Sequence, residues 1–311
     1  MSSPENSNAS ENTMQKKRIG ILGAGQLGGY LSMAANRLGF ETTVLANNAS
    51  EMAVALADET LFETDDAVAD ALSLADRCDY ITFEKEDITP EVLKILREQE
   101  LAGSVQIAPS VDTMLLLQNK ALQKRWLCDK NLPTAEHIEI APNATVDELR
   151  GRMGSPFVVK TERGGYDGLG VRVIRDDAAP KDTEGLGRIP SIAERYIDNR
   201  REFAVLVVRT KAGQLAAYPA VEMVFDPEGN LLRTIIAPAE LNNELMSEAR
   251  ALSMRAIEHL GSAGVFAVEL FYTSQGHSGS EESQLLINEI SPRVHNSGHH
   301  TMDASPTSQF E

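Results

Sequence analysis

The chain has 311 residues, 42% of them hydrophobic and 24% charged, which is a globular composition long enough for two or three domains with cores of their own. A formal net charge of -17 and a pI near 4.8 argue against a nucleic-acid or anionic-membrane surface, so a compact anionic ligand would need a local cluster of basic groups. Two cysteines, Cys78 and Cys128, lie far apart without metal-ligand spacing, which argues against a disulfide framework or a zinc site and fits a reducing, cytoplasmic setting.

Residues 1–16, rich in Ser, Asn and Glu, are expected to be a disordered tail and not a signal peptide. No apolar run approaches the roughly 20 residues of a membrane span. An apolar strand at Arg18–Leu22, the turn Gly23-Ala24-Gly25-Gln26-Leu27-Gly28, a helix to Leu38-Gly39 and a strand at Thr42–Leu45 predict a βαβ opening of a parallel sheet. Further strands at Asp79–Phe83 and Val105–Pro109, with a helix at Glu91–Gln99 between them, extend an α/β domain over residues 17–118.

A helix from Lys120 to Leu127 leads to a smaller unit, residues 119–190, whose strands Phe157–Lys160 and Val171–Ile174 flank the glycine-rich loop from Thr161 to Gly170. Residues 191–311 are expected to form a third, strand-rich unit. It has strands at Val205–Val208 and Ala216–Val221, a helix at Leu245–Leu260 ended by Gly261, and a hairpin of Val265–Tyr272 with Leu285–Ile290.

Three motifs carry chemistry. The GxGxxG at Gly23, Gly25 and Gly28 fits a dinucleotide, a phosphate-only site or plain strand-to-helix packing; the acidic residue that holds a dinucleotide's ribose is replaced by Ala46-Asn47-Asn48. The loop with Gly164, Gly165, Gly168 and Gly170 exposes backbone N–H groups suited to a polyphosphate, with Lys160 adding charge, or is an ordinary hairpin tip. In the last hairpin, positions 269 and 289 have their midpoint at Gly279 inside the polar turn, so Glu269 and Glu289 are expected to face each other. Opposed carboxylates suit Mg²⁺ shared with phosphate oxygens; the alternatives are an arginine partner or a shifted register. His295, His299 and His300 crowd the segment after Pro292, where polar contacts to a substrate or solvated loop positions are favoured over a transition metal.

Together, Gly23–Gly28, Phe83-Glu84-Lys85-Glu86, Gln118-Asn119-Lys120, Lys160-Thr161 with Gly164-Gly165-Tyr166-Asp167-Gly168, Asn288-Glu289, His295-Asn296-Ser297-Gly298-His299 and Ser308-Gln309-Phe310-Glu311 resemble the 5-(carboxyamino)imidazole ribonucleotide synthase family of ATP-grasp ligases, from about residue 17 onward. The resemblance implies an α/β fold with an N-terminal Rossmann-like pre-ATP-grasp domain, a small lid and a core sheet. It also implies ATP- and Mg²⁺-dependent carboxylation of 5-aminoimidazole ribonucleotide with bicarbonate, in purine biosynthesis. A formate-dependent ATP-grasp transformylase and a non-catalytic nucleotide-binding module are the alternatives.

Residue by residue, the resemblance implies ATP contacts at Lys120, Lys160, Gly164, Gly165, Gly168, Gly170, Glu194, Arg195, Tyr196, Ile197, Glu202, Glu222 and Asn288, and Mg²⁺ at Glu269 and Glu289. It implies substrate contacts at Gln26, Leu27, Glu86, Asn296 and Ser297, and catalytic roles for Tyr166, Asp167, Arg293 and His295. It further implies a homodimer, a downstream mutase that is fused or separate, and a segment after Glu311 that completes the core. The chain departs from the family pattern at Leu115, Leu116, Glu162, Leu169 and Met223, and the lost positive charges imply weaker ATP binding.

Overall fold

The computed structural model describes residues 16–164, 170–178, 186–226, 232–273 and 283–311. Strands β1 (Arg18–Leu22), β2 (Glu41–Ala46), β3 (Glu59–Phe62), β4 (Tyr80–Phe83) and β5 (Gln106–Ile107) form a parallel sheet in the order β3-β2-β1-β4-β5. Helix α1 (Gln26–Arg37) covers one face, where Ile21, Val44 and Leu31 meet; α2 (Ala67–Ala75) and α3 (Pro90–Leu101) cover the other through Leu74, Leu93 and Leu96. The expected strand at Val105–Pro109 shortens to two paired residues.

Helices α4 (Val111–Leu117) and α5 (Lys120–Asp129) lead out of this layer. Each begins at a side-chain cap, Ser110 and Asn119, that accepts a first-turn N–H. Strands β6 (His137–Glu139), β7 (Phe157–Thr161), β8 (Val171–Ile174) and β9 (Ser191–Arg195) form an antiparallel sheet in the order β6-β9-β7-β8. Helix α6 (Val146–Met153), opened by the Thr145/Glu148 capping box, packs on it through Leu149 and Met153.

The third sheet is antiparallel: β10 (Arg201–Arg209), β11 (Leu215–Ala217), β12 (Val221–Phe225), β13 (Leu232–Ile236), β14 (Gly264–Thr273) and β15 (Gln284–Ser291), in the order β13-β12-β10-β14-β15 with β11 also on β10. The strand expected at Ala216–Val221 is two strands, because Pro219 has no N–H to give to a continuous ladder. Helix α7 (Asn243–Leu260), ended by the left-handed Gly261, packs through Ala249, Leu252 and Ala256 against Phe203, Val205, Val268 and Leu270. The middle of that face is apolar, and Glu202 and Glu269 lie on the opposite face of the sheet. Among the described residues, no helix is long and apolar enough to cross a membrane.

Candidate active site

Glu269 pairs with Glu289 across β14 and β15, as the hairpin symmetry predicts, and a bulge then places Asn288 as an extra residue beside them. Burial first, and then the neighbouring Glu289 carboxylate, push Glu269 up to about 8. Glu289 shifts the other way: burial opposes ionisation, but Lys120 and Lys160 together hold it below the ordinary carboxylate range. Its ion pair with Lys120 spans 3.7 Å, so the partner is a lysine and not an arginine. The Glu269–Glu289 pair thus holds one proton more readily than it holds two negative charges.

Behind the pair lies a buried chain of charges. Lys160 donates to Asn288 Oδ1 at 2.8 Å and pairs with Glu194 at 2.9 Å, and the Asn288 amide donates to Glu269 at 3.2 Å. Glu194 is paired on its other oxygen with Lys124 at 3.2 Å. Lys124 was not among the residues expected from sequence. Its spacing carried the signal: it stands one helical turn after Lys120 on α5, on the same side. Burial would raise the Glu194 carboxyl, but Lys124 and then Lys160 hold it down to about 2.

Of the other expected nucleotide residues, Glu202 on β10 lies on the same face of the sheet as Glu269 on β14 and pairs with Arg200 at 2.8 Å; burial raises its carboxyl. Tyr196 receives the Arg200 guanidinium at 5.3 Å from its ring centre, and Ile197 is buried beside Ala135 and Leu286. Two of these side chains point away from the carboxylate pair. Arg195 alternates away from Glu194 and pairs outward with Glu136 at 2.7 Å, which leaves only its backbone for a ligand. Glu222 pairs in register with Phe203, on the α7 face, and is held by Arg201 through contacts of 2.9 and 2.6 Å, so its side chain is turned away from Glu202 and Glu269.

His295 stands over the carboxylate pair, its Nε2 3.5 Å from Glu269 and its Nδ1 2.9 Å from the Ser297 hydroxyl. Burial, with Arg293 adding to it, pushes the ring down to about 3, so it is neutral near pH 7. Arg293 pairs with Glu86 at 2.9 Å, and Glu86 also accepts from the Ser291 hydroxyl. His299 meets the Gln26 amide at 3.2 Å and Tyr30 edge-on, and His300 meets the Ser297 carbonyl, so both half-buried rings have protein partners.

Lys120, Glu289, Glu86, Arg293 and Gln26 border a cleft of about 640 Å³. One end has Lys120, Glu289 and Gly164; the other has Gly25, Gln26 and Leu27 at the start of α1, with Glu84, Glu86, Arg293 and Asn296 between. At the α1 end, the Gly25 N–H donates to Glu84 at 3.2 Å, so a side-chain carboxylate sits where the helix N-terminus would favour an anion. Gly165, Tyr166, Asp167 and Gly168 lie outside the described residues, whereas Gly164 and Gly170 are described at its two ends, both with positive φ. Among the described residues no group of three or more His, Cys, Asp or Glu is arranged to hold a metal.

The ATP-grasp domain family matches residues 125–310, and the ribonucleotide synthetase preATP-grasp domain matches residues 16–118. The phosphoribosylaminoimidazole carboxylase of Ogataea methanolica is 35% identical over 96% of this chain and 53% of its own length. The chain thus spans about half the length of this and the similar Candida albicans carboxylase. The N5-carboxyaminoimidazole ribonucleotide synthase of Synechococcus elongatus is 36% identical over 95% of the chain and 71% of its own length. Among solved structures, an ADP complex of an N5-carboxyaminoimidazole ribonucleotide synthetase superposes with a TM-score of 0.84 at 31% identity, covering 94% of this chain and 74% of the other. The Aspergillus clavatus enzyme with ADP and 5-aminoimidazole ribonucleotide gives 0.81 at 31%, covering 95% and 74%. Matched by the ATP-grasp family over residues 125–310 and by a 36%-identical synthase across most of its length, this chain belongs to the N5-carboxyaminoimidazole ribonucleotide synthase family of ATP-grasp proteins.

Proposed function

We propose that the protein, in the cytoplasm, carboxylates 5-aminoimidazole ribonucleotide with bicarbonate at the expense of ATP, giving 5-carboxyaminoimidazole ribonucleotide, ADP and phosphate. The observation that carries this is a cleft shared by two elements of chemistry. Its one end is lined by a lysine and an opposed-carboxylate residue, and its other end is the glycine turn at the start of α1. Relatives crystallised with ADP, and with ADP and 5-aminoimidazole ribonucleotide together, support the same pairing of ligands.

Glu269 and Glu289 fit Mg²⁺. They are partly buried, they face each other, and burial together with the Glu289 carboxylate pushes Glu269 up to about 8. Two carboxylates leave coordination positions for phosphate oxygens, which suits Mg²⁺ better than a cage made only of protein ligands. When bound there, Mg²⁺ would supply charge neutralisation for the phosphates.

The chain's own residues divide the remaining work. Lys120 and Lys160, with N–H groups of the loop from Gly164 to Gly170, would orient the polyphosphate and stabilise charge on the transferring phosphoryl group. The four-stranded sheet would close as a lid that keeps water from a carboxyphosphate intermediate. Arg293 would orient bicarbonate, and His295, held neutral by burial, accepts the Ser297 N–H at Nδ1 and so carries its proton at Nε2, where it can donate a hydrogen bond. Gln26 and Leu27 would offer backbone N–H groups to the ribonucleotide phosphate. Tyr166 and Asp167 belong to this proposal through the family motif alone. The homodimer and the downstream mutase are part of it too, and sedimentation of the full-length protein tests the former.

Phosphate release tests the reaction. The expected result is release from ATP that requires both 5-aminoimidazole ribonucleotide and bicarbonate. Release with formate replacing bicarbonate would move the assignment to a transformylase, and nucleotide binding without release under any of these conditions would make the protein a binding module.

A further inference from the structure

Glu194 is 2% exposed and lies between two lysines that are themselves 3% and 6% exposed, Lys124 on α5 and Lys160 on β7. The arrangement is fixed from three directions. Val158 pairs with Glu194 across β7 and β9, so Lys160, two residues along, is its diagonal neighbour on the same face. Lys124 arrives from α5 and donates to the Thr134 hydroxyl at 2.7 Å, and that hydroxyl donates to the Ile287 carbonyl at 2.7 Å. Lys160 continues through Asn288 to Glu269.

The charge balance decides what Lys124 does. A buried Lys160–Glu194 pair by itself is neutral, and its ammonium is committed to one carboxylate. Burial lowers the Lys124 ammonium below the ordinary lysine value and Glu194 opposes that shift; with all three groups charged the set is net positive, and the carboxylate's two oxygens are divided between the two lysine nitrogens. We propose that Lys124 is a positioning residue: by taking one oxygen of Glu194, it leaves the Lys160 ammonium with charge in excess, held by Asn288 at the carboxylate pair and available to a polyphosphate. Glu194 accordingly acts on the two lysines and not on adenine through its side chain.

The inference rests on the proposed nucleotide site, and one set of titrations separates the two. Binding of ATP, ADP and adenosine is measured calorimetrically for the full-length protein, Lys124→Met, Glu194→Gln and the double variant. Lys124→Met is expected to weaken ATP on the order of tenfold, ADP less and adenosine within twofold, because a charge effect scales with the ligand's charge whereas a packing defect does not. In the double variant, Lys160 regains its excess charge, and ATP affinity is expected to return to within about threefold of the unsubstituted protein.

An unsubstituted protein that binds no ATP overturns the proposed function together with the inference. ATP binding that survives Lys124→Met unchanged, or that is lost equally with adenosine binding, overturns the inference alone. Should Lys124→Met fail to fold because Glu194 is left short of a partner, the double variant decides. Retained ATP affinity there upholds the inference, and a tenfold loss overturns it.

Discussion

The two ends of the cleft handle negative charge in different ways. At the Glu269–Glu289 end, charge is carried by side chains, those of Glu194, Glu289 and Lys160 on strands and of Lys120 and Lys124 on α5, tied by three ion pairs: Lys120 to Glu289, Lys160 to Glu194, Lys124 to Glu194. At the α1 end it is met by backbone, the Gly25 N–H turned to Glu84, beside the Gln26 side chain that meets His299. The first design tolerates no missing partner, because a lone buried charge is costly; the second tolerates side-chain change but no added bulk at the turn. Substitutions at the two ends should therefore fail in different ways.

The largest effect is expected at the strand-borne end. Glu289→Gln should lower phosphate release by about 10³-fold or more while circular dichroism shows an intact fold. Turnover within tenfold of the unsubstituted protein would remove Glu289 from the metal site. Next comes Gly25→Ala, whose Cβ would lie 2.6 Å from a Glu84 carboxylate oxygen. It should raise KM for the ribonucleotide by about 10–100-fold and leave ATP binding within about twofold. Equal loss of both ligands would show that the ends are not independent.

Stability should follow the Glu269 carboxyl. Its folded value, about 8, lies above the ordinary 4.5, so its contribution is fully present below about pH 4.5 and is lost as pH rises through 8. Without metal or nucleotide, Tm should fall by several degrees between pH 6 and pH 9, at about 2–4 °C per kcal/mol, and Glu269→Gln should flatten that slope. A slope unchanged by the substitution would assign the pH dependence elsewhere. The smallest effect is structural: a Cβ at Gly298 would meet Leu206 Cδ1 at 2.4 Å and Gln309 at 2.5 Å, so Gly298→Ala should cost about 1–3 kcal/mol in denaturant unfolding.

How far this was legible in the sequence also differs between the ends. The opposed carboxylates could be read from hairpin symmetry alone, because strand pairing is periodic and the turn sits midway between them. The βαβ opening was equally plain from its apolar strands and glycines. The face of Glu222 was not legible, because its motif does not state it; only the register with Phe203 does. Lys124 was missed because a lysine in an amphipathic helix ordinarily reads as solvated, and its burial is created by β9 and β15 arriving from distant parts of the chain. The break at Pro219 was visible in the residue itself, yet the apolar run around it masked the signal.

The most direct test of the account is the fate of bicarbonate oxygen. With ¹⁸O-labelled bicarbonate, ATP and 5-aminoimidazole ribonucleotide, phosphorylation of bicarbonate predicts one labelled oxygen in each inorganic phosphate released, because cleavage of carboxyphosphate leaves the bridging oxygen on phosphorus. Phosphate that carries no label would contradict it.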